Sequence, residues 1–137
     1  MKISLKVDYA CRVLIQLARF YGSNKRTHLN WLASAEDVPA NYLVQILNDL
    51  RNGGLINSRR GKQGGYTLAM APEDISIYDI IRIIDGELLE VRFAGNGESG
   101  PQVARVWKEI SRMLESKTRE YTLDLLLRSE TREMYHI

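Results

Sequence analysis

Three cations fall within four residues in Arg59-Arg60-Gly61-Lys62, and Gln63-Gly64-Gly65 follows them. Guanidinium and ammonium groups at that density suit oxygen anions, phosphates above all. The glycines permit positive φ and close approach of the backbone to another surface. A second set, Asn41, Tyr42 and Gln45, carries groups that read hydrogen-bonding edges. An amide offers a donor and an acceptor together, which suits the major-groove edge of adenine. Tyr42 suits a phosphate or a thymine methyl, while Lys2, Lys6 and Arg51 suit phosphates that fix register without reading sequence. Arg59, Arg60 and Lys62 suit phosphates too, or a narrow A/T-rich minor groove that attracts arginine.

Catalytic chemistry is harder to find. No glycine-rich phosphate loop follows a strand, and no Ser/His/Asp set or paired histidines occur. Gly64-Gly65 stands between two strand-like runs, so it does not open a helix as a phosphate cradle does. His28 and His136 lack companions at metal-ligand spacing. The single cysteine, Cys11, sits beside Ala10 and near Val13, and reads as a small buried residue rather than a redox sensor. The expectation is a binding protein, not an enzyme, with no metal and no cofactor.

The elements that must position these residues follow from apolar spacing. Ala10, Val13, Leu14, Leu17, Ala18 and Tyr21 recur at helical intervals, with Ser4 as cap and Gly22 as stop. A second, short helix has Thr27 as its expected cap and Leu29, Leu32 and Ala33 inside. Glu36-Asp37 marks a tight turn, Pro39 suits the first turn of a third helix, and Leu43, Ile46, Leu47 and Leu50 form that helix's core stripe. Two short helices joined this closely predict a helix-turn-helix. Leu55–Ser58 and Tyr66–Ala69 read as strands around the basic tip, which makes a winged helix. A fourth helix begins at Ser76, where Ser76 and Asp79 form a capping pattern. Glycines thin out residues 86–101 into a loop. A fifth helix over about 102–117 carries Val103, Val106, Trp107, Ile110, Met113 and Leu114 in one stripe, and a short final helix spans about 122–128. The fold class is mainly α with a small β-hairpin. Its divisions are a DNA-binding unit over 1–86, a loop over 87–101 and a dimerisation part over 102–137.

Charge supports a polyanion on one side. Residues 1–70 hold ten Lys/Arg against four Asp/Glu, a net of +6, whereas residues 71–137 hold nine against thirteen, a net of −4. No apolar run approaches the roughly 20 residues that cross a bilayer, and the N-terminus lacks a secretory signal. No membrane partner and a cytoplasmic location are therefore expected.

Taken in order, these residues resemble a known family almost end to end. Ile3-Ser4-Leu5-Lys6 with Tyr9-Ala10, then Tyr42-Leu43 with Gln45-Ile46-Leu47, Leu50-Arg51 and Gly54-Leu55, match its first and recognition helices. Arg60-Gly61-Lys62-Gln63-Gly64-Gly65-Tyr66-Thr67-Leu68 is similar to its wing, and Ile75 to Gly86 to its fourth helix. The family is that of the bacterial winged-helix regulators that include the iron–sulfur cluster assembly regulator, the nitric-oxide-sensitive repressor and the cysteine-metabolism repressor. The resemblance implies a transcription regulator, of repressor type, that binds double-stranded DNA as a homodimer. Its long C-terminal helix would pair with a twofold mate through the Val103–Leu114 stripe. That pairing sets two recognition helices roughly 34 Å, one DNA turn, apart. Cluster-binding members carry three cysteines before the long helix; residues 87–102 contain none. The resemblance therefore implies DNA binding without a cluster. Without cluster cysteines, the effector is a small molecule in the loop region, a protein partner, or nothing. The alternative is a winged-helix interaction module that acts through a protein partner.

Overall fold

Val7, Ala10, Val13, Leu14 and Leu17 face one way along α1 (Leu5–Arg19), and all five are buried. They belong to a computed structural model that describes residues 2–135. The Ser4 hydroxyl caps α1 by accepting a hydrogen bond from the Val7 amide. The helix ends at Arg19, so Tyr21 lies in the following turn and is exposed rather than part of the core stripe.

Next come α2 (Leu29–Glu36) and α3 (Ala40–Asn52). Asp37, the only non-glycine at positive φ among the described residues, closes α2 in the left-handed region and turns the chain toward Val38, which is buried. Pro39 stands one residue before the first turn of α3, where its carbonyl accepts from the amides of Tyr42 and Leu43. Its rigid φ still sets the entry angle. Leu43, Ile46, Leu47 and Leu50 are wholly buried, as the apolar spacing predicts.

The expected cap of α2 is Thr27, yet His28 occupies that position without a side-chain cap bond. Thr27 is held elsewhere. Its amide donates to the Tyr66 carbonyl (3.1 Å) and its carbonyl accepts from the Tyr66 amide (2.8 Å). The segment before α2 thus lies beside the hairpin formed by β1 (Ile56–Arg59) and β2 (Gly65–Leu68), which pair antiparallel with Ile56 opposite Leu68 and Arg59 opposite Gly65. Both strands sit one residue off the sequence reading. Leu55 remains tied to the end of α3, its amide donating to the Leu50 carbonyl, while its own carbonyl accepts from Ala69.

The wing tip requires two of its glycines. A Cβ on Gly64 would lie 2.1 Å from the Arg59 carbonyl oxygen. Gly65 has φ +127°, and a Cβ there would lie 2.8 Å from the Thr27 carbonyl oxygen. Backbone atoms cannot give way cheaply, so Gly64→Ala is expected to cost about 1–3 kcal/mol of stability. A urea unfolding midpoint equal to that of the wild type would show a looser tip.

After a 3-10 turn (Pro72–Asp74), α4 (Ile77–Ile84) starts in the predicted capping box: the Asp79 amide donates to the Ser76 hydroxyl and the Ser76 amide to the Asp79 carboxylate. The long helix α5 (Gly100–Glu120) starts two residues before the expected 102 and ends three residues beyond the expected 117. Pro101 fits a first helical turn, and a Cβ on Gly100 would lie 2.3 Å from the Gly95 carbonyl oxygen, so the loop packs hard against that start. One side of α5 rests on α4, where the Arg119 guanidinium lies 3.9 Å over the Tyr78 ring. No α5 residue is buried. The last helix, α6 (Leu123–Tyr135), returns to α1, with Leu123 fully enclosed in the shared core. No helix among the described residues is long and apolar enough to cross a membrane.

Candidate nucleic-acid interface

Burying Leu43, Ile46, Leu47 and Leu50 leaves the opposite side of α3 to solvent. Asn41, Tyr42, Gln45 and Arg51 are all exposed there. Two further residues share that face and were not singled out from the sequence: Val44, 42% exposed, and Asn48. Asn48 follows Gln45 by three residues, the interval of neighbours on a helix, so its position was legible in the spacing.

The first helix braces α3 from one side. The Lys6 ammonium lies 2.7 Å from the Asp49 carboxylate. The Tyr42 ring meets the Tyr9 ring edge-on at 6.4 Å, and the Arg12 guanidinium lies 4.9 Å over the Tyr9 ring. Nε and Nη2 of Arg12 are buried without hydrogen-bond partners; the Asp8 carboxylate, 3.7 Å from Nη1, is its counter-charge, and the Tyr9 ring face adds a cation–π attraction. At the other end of α3, Arg51 Nη1 donates to the Ser58 hydroxyl at 3.3 Å and links the helix to β1. Of the cations singled out from the sequence, Lys6 therefore has a carboxylate partner and Arg51 a neutral one.

Lys2, Arg59, Arg60 and Lys62 are exposed, and none takes part in an ion pair among the described residues. Toward the end of α5 and on α6, by contrast, Lys117 pairs with Glu120, Arg119 with Glu115 and Arg128 with Asp124, all within 3.1 Å, whereas Arg105, Lys108 and Arg112 earlier on α5 form no ion pair among the described residues. Cations left without carboxylates keep their full attraction for an outside polyanion. The unpaired wing charges and the amide-bearing face of α3 are joined through the Arg51–Ser58 contact.

Cys11 packs against the core from α1, and burial, with the Asp8 carboxylate adding to it, pushes its thiol up to about 11. At pH 8 roughly a thousandth of it is thiolate, so a maleimide reagent should label native protein about 100-fold more slowly than urea-unfolded protein. Equal rates would mean a thiol open to solvent. The donor set does not fit an iron–sulfur cluster. Cys11 is the single cysteine of the sequence, and no three His, Cys, Asp or Glu side chains converge among the described residues. His28 is exposed at the start of α2, and His136 lies outside the described residues.

Residues 3–129 match the Rrf2 family, described as "Iron-dependent Transcriptional regulator". An HTH-type transcriptional regulator of Mycobacterium tuberculosis, so named provisionally, is 41% identical over 128 residues, covering 90% of this chain and 79% of that protein. The solved structure of CymR, the global cysteine regulator of B. subtilis, superposes with a TM-score of 0.82 at 32% identity, over 94% of this chain and 98% of CymR. The IscR of T. potens superposes with a TM-score of 0.76 at 32% identity, over 95% and 88%.

Proposed function

The chain belongs to the Rrf2 family of DNA-binding helix-turn-helix transcription regulators, and from that premise we propose that it represses genes as a homodimer bound to a (pseudo)palindromic operator, without an iron–sulfur cluster. The family is one of regulators, not of enzymes. One observation carries the reading: the exposed amides of α3 adjoin a wing whose three cations have no carboxylate of their own.

In this reading residues 1–86 bind DNA, 87–101 connect, and 102–137 dimerise, with α6 returning to the core. Asn41 and Gln45 read base edges, and Tyr42 is set in place by Tyr9. Lys2, Arg51, Arg59, Arg60 and Lys62 grip phosphates, and the arginines can enter a narrow minor groove. Lys6 serves chiefly to hold α1 against α3 through Asp49. A cytoplasmic location accords with this work.

Fluorescence anisotropy on duplex from upstream of the protein's own gene, against scrambled competitor, tests the reading. Operator preference supports it, and equal weak binding to both duplexes refutes it. Arg60→Ala is expected to cost about 1–3 kcal/mol in operator binding. Gln45→Ala is expected to flatten the preference between operator and scrambled duplex; equal losses on both would make Gln45 a phosphate contact.

A further inference from the structure

An open cleft of about 530 Å³ lies between the α1–α2 turn and the outer side of the hairpin. Its wall includes Lys25 and Arg26 from the turn, Arg59 and Gln63 from the wing, and no aspartate or glutamate. None of the three cations forms an ion pair among the described residues. Three positive charges facing one concavity repel one another unless an anion joins them.

The turn is built in a way that holds these charges in place. The Ser23 hydroxyl donates to the Phe20 carbonyl at 2.6 Å and accepts from the Lys25 amide at 3.2 Å. The Lys25 ammonium lies 4.1 Å from the centre of the Phe20 ring and 5.5 Å from that of Trp31, and those rings meet edge-on at 6.0 Å. Two aromatic faces thus shield one side of the ammonium and offer it no counter-charge, which leaves the other side for an anion. Arg26 is fixed at the hairpin edge because Thr27, next in sequence, is bonded on both sides to Tyr66. The Thr67 hydroxyl and the side-chain amides of Asn24 and Gln63 add neutral donors around the same space.

We propose that this cleft binds a phosphate group, with Lys25, Arg26 and Arg59 supplying the charge. Such a phosphate comes either from the DNA backbone beyond the base-reading helix or from a free phosphorylated molecule. In both cases the bound group ties the wing to the turn, since the charges come from both. The DNA source rests on the operator reading above; the free source does not.

The test uses the full chain and three variants: Lys25→Gln with Arg26→Gln, Arg26→Gln alone, and Lys108→Gln as a control on an exposed α5 cation. Thermal midpoints confirm folding. In calorimetry with sodium pyrophosphate, the double variant is expected to bind at least about 10-fold more weakly than wild type and the control equally well. In operator binding, the double variant should lower the slope of log affinity against log salt by about 1.8 per protomer if backbone phosphates enter the cleft. Lost pyrophosphate binding with an unchanged slope assigns the cleft to a free anion. A lowered slope without pyrophosphate binding assigns it to DNA. The single variant, which keeps Lys25 on its rings, should move the same readouts by about half. Folded variants indistinguishable from wild type in both readouts overturn the proposal, and a wild type that binds no operator leaves the pyrophosphate result to decide.

Discussion

Replacing Ile110 and Met113 together by glutamate is expected to convert the proposed homodimer into a folded monomer and to weaken operator binding by at least about 100-fold. The reason lies in what α5 lacks. It is a helix of 21 residues with none buried, and Val103, Val106, Ile110 and Met113 are 46%, 49%, 37% and 67% exposed. Trp107 and Leu114 are half-buried on the same stripe, beside an apolar groove of about 480 Å³ that Ile110, Met113 and Leu114 line. Covering such side chains with a twofold mate gains about 25 cal/mol per Å² of apolar area removed from water. Four glutamates facing one another across that seam cancel the gain and add repulsion. Because these positions are already open to solvent in one chain, the substitutions leave the core untouched, and circular dichroism should show unchanged helix content. Light scattering reads the mass. The loss in DNA affinity follows because two half-sites are then bound by separate molecules, without the effective concentration a dimer provides. A variant that remains dimeric would place the interface elsewhere.

The second large effect is that of salt. Between about 50 and 200 mM, operator affinity is expected to fall by about 10³–10⁵, the range for six to ten phosphate contacts. Wing cations alone account for six in a dimer, from Arg59, Arg60 and Lys62 of each protomer, and Lys2 and Arg51 bring the total to about ten. Since none of the wing cations has a carboxylate neighbour to release first, each contact should displace a counterion nearly in full. Changing all three wing cations to alanine should then lower the slope of log affinity against log salt by about 5. Anisotropy titrations at four salt concentrations measure this. A slope near zero in the wild type would mean that the basic face does not meet a nucleic-acid backbone at all, and would favour a protein partner.

Much of the winged helix was legible in local patterns. The Ser4 cap, the Ser76–Asp79 capping box and the α3 stripe depend on residues three or four apart, so the chain states them directly. Differences arose where a distant segment competes for the same backbone. Thr27 has the chemistry of a helix cap, but Tyr66 claims its amide and carbonyl, and the cap position falls to His28. Tyr21 continues the spacing of α1, yet the helix has already ended and no core remains for the ring to enter.

The interface divides in the same way. Residue type and spacing were enough to place Asn41, Tyr42 and Gln45 on one helical face and to gather Arg59, Arg60 and Lys62 on a hairpin tip. Which of the charges stay free was not legible. Lys6 and Asp49 are 43 residues apart, and only the packing of α1 on α3 brings them to 2.7 Å. Lys25 and Arg26 stand between two helices in sequence, and only the Thr27–Tyr66 pairing sets their turn against the wing. An amino-acid pattern thus determines which face of an element is apolar or charged, because that depends on the period of the backbone. Whether the face meets a partner, a counter-charge or open water depends on chain segments far away in sequence, and here only the tertiary structure decided it.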